Sequence, residues 1–128
     1  MRLLLDTHAW LWWLGDASRL SVVAREAIAE KSNEVLISAV SAYEVAYKYR
    51  RGQLKDAYEA VTRFAEMAVA NDFRHLPIDY RHSLAAGRYE HDHRDPFDRL
   101  LAAQAEIEAL ALVTCDPAFA QFGVDTLW

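Results

Sequence analysis

The chain opens on an apolar run, Met1-Arg2-Leu3-Leu4-Leu5, that stops abruptly at Asp6. A run this short, closed by a charge and followed by a helical spacing of apolar positions, predicts a buried strand. Its lack of alternation places it inside a parallel sheet, covered on both faces. Thr7 to Leu14 is apolar nearly all round and predicts a buried helix with Gly15 as its C-terminal cap. Ser21 caps a second helix from Val22 to Lys31, and Val35-Leu36-Ile37 predicts a second buried strand. Ser41, with Glu44 three residues on, opens a helix that runs to Arg51 and ends at Gly52.

Leu54, Tyr58, Val61, Ala65 and Ala68 mark one face of a fourth helix. Phe73 to Ile78 predicts a third strand, cramped by Pro77, and Arg81 to Tyr89 a short helix. His91-Asp92-His93-Arg94 reads as a polar loop, and Asp95-Pro96 starts a long helix through Ala109. Leu110 to Thr114 is a strand, Asp116-Pro117 begins a short helix, and Val124 to Trp128 closes as a strand after Gly123. Strands alternating with helices predict an α/β fold of three layers: a central, mostly parallel twisted sheet of four to five strands with helices on both faces.

Residues 1–128 read as a single domain without repeat, linker or low-complexity tract. A hydrophobic fraction of 53% supplies a core and argues against disorder. No stretch reaches the ~18 uninterrupted apolar residues of a membrane span, and Asp6, His8 and Asp16 bracket Trp10 to Leu14 too closely for a signal peptide. The single cysteine, Cys115, excludes an internal disulfide and fits a reducing, cytoplasmic setting. A formal net charge of −5 excludes indiscriminate attraction to nucleic acid, so phosphate chemistry here needs a metal to cancel repulsion.

The acids are placed for that. In open α/β sheets ligands bind beyond the carboxyl ends of the strands. Asp6 ends the first strand, Glu44 follows the second, Asp98 (with Asp95 one turn earlier) opens the long helix, and Asp116 follows the fourth strand. Each of the last four also suits plain helix capping: Ser41 to Glu44 as a capping box, Asp95 and Asp116 before prolines, Asp98 against a helix dipole. Asp6 is harder to dismiss, because a charge closing a buried strand is costly unless paired or metal-bound. The lysines are Lys31, Lys48 and Lys55, and none is expected beside the acids. Acids converging without a cation repel one another; a hard divalent ion resolves the conflict, and all-oxygen ligation selects Mg²⁺ or Mn²⁺.

Four ordered segments resemble the successive motifs of PIN-domain nucleases, most closely the VapC-type toxins of toxin–antitoxin pairs. They are Leu4-Leu5-Asp6-Thr7-His8, the stretch from Ser38 through Ser41 and Glu44 to Lys48, the stretch from His93 through Asp95 and Asp98 to Ala105, and Val113-Thr114-Cys115-Asp116. The likeness extends to the closing Leu127-Trp128. Tyr43 stands where this group often has tryptophan.

The resemblance implies a PIN-like sheet and a Mg²⁺-dependent endoribonuclease with catalytic acids at Asp6, Glu44, Asp98 and Asp116. The metal would fall to Asp6, Asp98 and Asp116, with Asp95 a secondary acid competing for the third role. It also implies a homodimer and a cognate antitoxin covering the groove. Either Glu44 or Asp116 would orient the attacking water or take its proton, and Thr7 and Thr114 could orient carboxylates.

Arg94 and Arg99 are candidates for phosphate contact or for balancing the acids, and the run Lys48, Arg50, Arg51 for a helix C-terminus or RNA backbone contact. A zinc site on His91, His93 and Asp95 lacks a second cluster. Cys115 reads as a small strand-end residue without a base to activate it. Trp10 and Trp13 share a core face, whereas Trp12 points to a partner surface. A phosphoacceptor receiver domain needs an acid beside Asp6 and a later lysine, a phosphatase needs an acid in place of His8, and a non-catalytic nuclease-like binding module predicts missing acids.

Overall fold

The computed structural model describes residues 1–90 and 94–128, so the zinc reading on His91 and His93 lies outside the described residues. Strands β1 (Arg2–Leu5), β2 (Glu34–Ser38), β3 (Arg74–Leu76), β4 (Ala111–Val113) and β5 (Thr126–Leu127) form one sheet, ordered β3-β2-β1-β4-β5. Every pairing is parallel, with Leu4 opposite Leu36 on one side and Leu112 on the other. The predicted sheet stands, with shorter edge strands.

The leucines of β1 explain its central place. Leu3 and Leu5 pack on one face with Trp10, Ile28 and Phe73; Leu4 packs on the other with Leu101, Leu112 and Phe119. All three are fully buried, each contributing roughly 1.5–3 kcal/mol of transfer free energy. Helices α1 (Thr7–Gly15), α2 (Val22–Ala29) and α5 (Phe64–Ala70) cover the first face, and α3 (Ala39–Arg50) and α7 (Pro96–Ile107) the second. Ala102 and Ala105 on α7 are buried, and their small size lets that helix lie close to the sheet. Two further helices, α4 (Tyr58–Thr62) and α6 (Tyr80–Arg88), complete the layers.

Three local readings are corrected. Gly15 does not cap α1 in a left-handed conformation; the helix runs through it and ends on Asp16. The predicted fourth helix is two, α4 and α5, broken at Arg63. There the Thr62 hydroxyl donates to Tyr58 O at 2.8 Å, the back-bonding that bends helices. The third correction, at the start of α3, belongs to the site. Gly52, just beyond α3, does adopt φ 77°, a conformation that favours glycine.

Candidate active site

From β1 the chain fills β2 and β3 on one side, then crosses to β4 and β5 on the other. The gap above β1 and β4 is therefore the switch point at which a ligand crevice opens. Asp6 leaves β1 into that gap. Its N–H donates to Val113 O at 3.1 Å, and its Oδ1 accepts from the Ala9 N–H at 2.7 Å, capping α1. Asp6 is only 7% exposed. Burial pushes its carboxyl above the ordinary range, against the hydroxyl of Thr114, the Ala9 N–H and His8, while the charge of Glu44 adds to the rise.

Asp116 stands exposed across the gap, its Oδ1 accepting from the Ala118 N–H. Asp95 caps α7 by accepting from the Phe97 and Asp98 N–H groups, and Asp98 sits in the first turn. With Glu44, these acids line one cleft of about 410 Å³. Capping and cleft-lining are not rivals here, since Asp6, Asp95 and Asp116 do both.

Glu44 reaches the cleft by another route than expected. Helix α3 starts ahead of Ser41, capped by Ser38, whose hydroxyl accepts from the Val40 N–H at 2.9 Å. Glu44 thus lies in the second turn, and a capping box does not account for it. It is 4% exposed. Its Oε1 accepts from the Thr7 hydroxyl at 2.5 Å, and Thr7 in turn lies 3.0 Å from the Ser41 hydroxyl.

The expectation that no lysine stands beside the acids is wrong. Lys48, one turn beyond Glu44 on the same helix face, places its Nζ 2.5 Å from Glu44 Oε2 and lines the cleft. Burial lowers the Lys48 pKa, but the hydrogen bond and charge of Glu44, with Asp95 and Asp98, outweigh it and hold the ammonium above its usual range. The cleft therefore pits five carboxylates against one ammonium, an imbalance that still favours a divalent ion.

The donor set fits Mg²⁺ or Mn²⁺. It is all oxygen, and it includes a nearly buried carboxylate whose ionised form is penalised by desolvation. Among the described residues, the only three ligand atoms within 4.8 Å of one another belong to Asp79, His82 and Glu108, at the far end of α7. That trio is a capping network. His82 Nδ1 accepts from the Asp79 N–H, its Nε2 faces Glu108 Oε1 at 3.0 Å, and Arg81 spans Asp79 and Glu108. His82 has both ring nitrogens engaged within the protein, and Arg81 offsets one of the two acid charges.

Arg99 donates from its guanidinium to the Ala86 and Tyr89 carbonyls at 2.9 and 2.7 Å, at the C-terminal end of α6. Arg94 is exposed ahead of Asp95. Cys115 lines the cleft with its thiol pushed up by burial and by Asp6 and Asp116, which suits no nucleophile. Trp10 is buried, and Trp13 Nε1 donates to Asn71. Trp12 is half-buried under the Arg19 guanidinium, against His8 and Trp128.

A larger cavity of about 520 Å³ lies between α1 and the 53–57 segment, lined by Leu11, Leu14, Leu54 and Met67 with polar neighbours. It sits away from the strand ends. Among the described residues, no helix is long and apolar enough to cross a membrane.

Comparison with known proteins bears on the whole chain. The PIN domain profile matches residues 3–124. Ribonuclease VapC22 of Mycobacterium tuberculosis (strain ATCC 25618 / H37Rv) is 30% identical over 117 residues, covering 88% of this chain and 85% of that protein. The crystal structure of VapBC2 from Rickettsia felis, bound to a DNA fragment from their promoter, superposes with a TM-score of 0.71 at 16% identity, covering 98% and 97% of the two chains. That of M. tuberculosis VapC20, a sarcin-ricin loop cleaving toxin, superposes at 0.69 with 20% identity and 95% coverage of both. Likeness at that identity concerns the fold.

Proposed function

The chain belongs to the PIN-domain family, in the company of the VapC ribonucleases, and from that premise we propose that it is a metal-dependent endoribonuclease, the toxin of a toxin–antitoxin pair. The observation that carries the reading is the meeting of Asp6, Glu44, Asp98 and Asp116 in one cleft at the switch point of the sheet. Residues 1–128 act as one domain, pair with a cognate antitoxin and form a homodimer, as the family resemblance implies.

Asp6, Asp98 and Asp116 would hold Mg²⁺, with Mn²⁺ as a substitute and Asp95 as a secondary acid. When bound, the ion polarises a non-bridging phosphate oxygen and lowers the pKa of a coordinated water. Glu44 has both oxygens engaged, by Thr7 and by Lys48. Asp116 spends one oxygen on the Ala118 N–H and keeps the other toward the solvent. Asp116 would therefore act on the ion through a bound water, which its remaining oxygen is the better placed to orient or deprotonate. The Lys48 ammonium, held charged, would offer the scissile phosphate a positive contact within the cleft.

The test is cleavage of RNA by the purified protein and by Asp6→Asn, each with Mg²⁺ and with EDTA. Cleavage is expected from the wild type with Mg²⁺ and to fall by at least about a hundredfold in the variant and the chelator. Activity that survives both changes would refute the metal-assisted reading. A protein that binds RNA but never cuts it would instead be a binding module.

A further inference from the structure

Beside the acidic cleft, α3 and the first turn of α7 carry three aromatic rings in contact. Tyr43 and Tyr47 stack with centroids 6.0 Å apart and planes within 10°. Phe97 lies 5.7 Å from Tyr43 and 6.4 Å from Tyr47. Tyr43 is 63% exposed, so the rings do not serve to fill the core. Both tyrosines flank Glu44 on α3, and Phe97 sits between Asp95 and Asp98. The cluster thus forms a ledge at the margin of the cleft.

Positive charge gathers on the same ledge. Arg50 and Arg51 place their guanidiniums 5.8 and 5.5 Å from the Tyr47 ring, and Lys48 Nζ lies 5.9 Å from that of Phe97. Arg51 Nη1 also donates to Tyr47 Oη at 3.4 Å. Lys48, Arg50 and Arg51 fall within four residues beside one exposed ring, Tyr43, and two half-buried ones; Lys48 is engaged by Glu44, so Arg50 and Arg51 are the cations the ledge offers. Stacking surfaces interleaved with cations are how proteins hold single-stranded nucleic acid: ring faces take bases and cations take phosphates. An apolar protein surface would gain from the rings and leave the cations unpaired, whereas a single strand of nucleic acid uses both.

We propose that Tyr43, backed by Tyr47 and Phe97, is the stacking platform for a base of single-stranded RNA next to the scissile phosphate, with Arg50 and Arg51 on the neighbouring backbone. This rests on the ribonuclease reading. Every base has a π-face, so the platform fixes the strand's position without reading its sequence. Tyr43 is a positioning residue.

The experiment is steady-state cleavage of a mixed-sequence single-stranded RNA dodecamer with Mn²⁺. Tyr43→Ala is expected to raise KM by about 5- to 150-fold, leaving kcat within about threefold. Tyr43→Phe keeps the ring and restores KM to within about twofold, and Tyr47→Ala shows a smaller rise. A dodecamer with abasic sites flanking the cut is expected to bring the wild type down to the Tyr43→Ala level and to leave that variant unchanged.

An unaltered KM in Tyr43→Ala, or a loss confined to kcat, would overturn the platform. So would a smaller native mass for Tyr43→Ala, which would assign the rings to a contact between copies of this chain. Should the wild type itself cut no RNA with Mn²⁺, the ribonuclease reading fails first, and that failure shows before any tyrosine is changed.

Discussion

Asp6 concentrates the conflict of this site in a single side chain. It caps α1, closes β1 and lies among other acids, all while nearly excluded from water. Burial raises its folded pKa above the reference of 3.8, so between those two values the folded state holds a proton that the unfolded state has released. Stability then falls as pH rises through that window, and above it the buried charge is a standing cost. Asparagine at this position can still accept from the Ala9 N–H but carries no charge. In EDTA, the melting temperature of Asp6→Asn is therefore expected to exceed that of wild type. The gap should open above pH 3.8, the unfolded-state reference, and level off once Asp6 is ionised in both states. Thermal melts of both proteins from about pH 4 to about pH 8 read it directly. A gap that closes with rising pH would mean that the carboxylate is stabilised by its surroundings.

Elements place these side chains, and the way they do so decides what a sequence can disclose. The end of β1 was legible because an apolar run that breaks on an aspartate fits little besides a buried strand meeting a polar rim, and the strand order put Asp6 beside Asp116 as expected. The start of α3 was not, because Ser38 and Ser41 are equally good caps by residue type. Only the tertiary contact of Ser41 with Thr7, a residue distant in sequence, separates them. Lys48 was misplaced for a related reason: a lysine near a helix end satisfies the dipole on paper, while its i, i+4 relation to Glu44 draws it inward. Arg99, a candidate for phosphate contact or for balancing the acids, also donates to carbonyls at the end of another helix, a contact its place beside Asp98 does not disclose. These bonds tie α7 to the end of α6, and with α7 the position of Asp98. Arg99→Met is expected to lose about 2 kcal/mol of stability with the charged hydrogen bonds, while KM for RNA in the folded fraction stays within about twofold. Denaturant unfolding with a parallel cleavage assay separates this from phosphate contact, which would raise KM and spare stability.

The whole molecule turns on where its excess negative charge is gathered. A sheet wound outward from β1 brings one strand-end acid from each side of the switch point and helix acids from both flanks into a single cleft. Lys48 offsets one of these charges, and the rest remain as a free-energy cost that any ion bound there would reduce. A ligand that binds only the folded state stabilises it by RT ln(1 + [L]/Kd), about 2.7 kcal/mol at a hundredfold excess over Kd. For a chain of this length that corresponds to a rise in melting temperature on the order of 10 °C. Wild type titrated with Mn²⁺ is expected to show it, and Asp6→Asn to show a small part of it. Glu108→Gln, which alters the capping network at the far end of α7, should keep the full response. If instead Glu108→Gln lost the response and Asp6→Asn kept it, the ion would reside with Asp79 and His82, and the switch-point cleft would have to work without it.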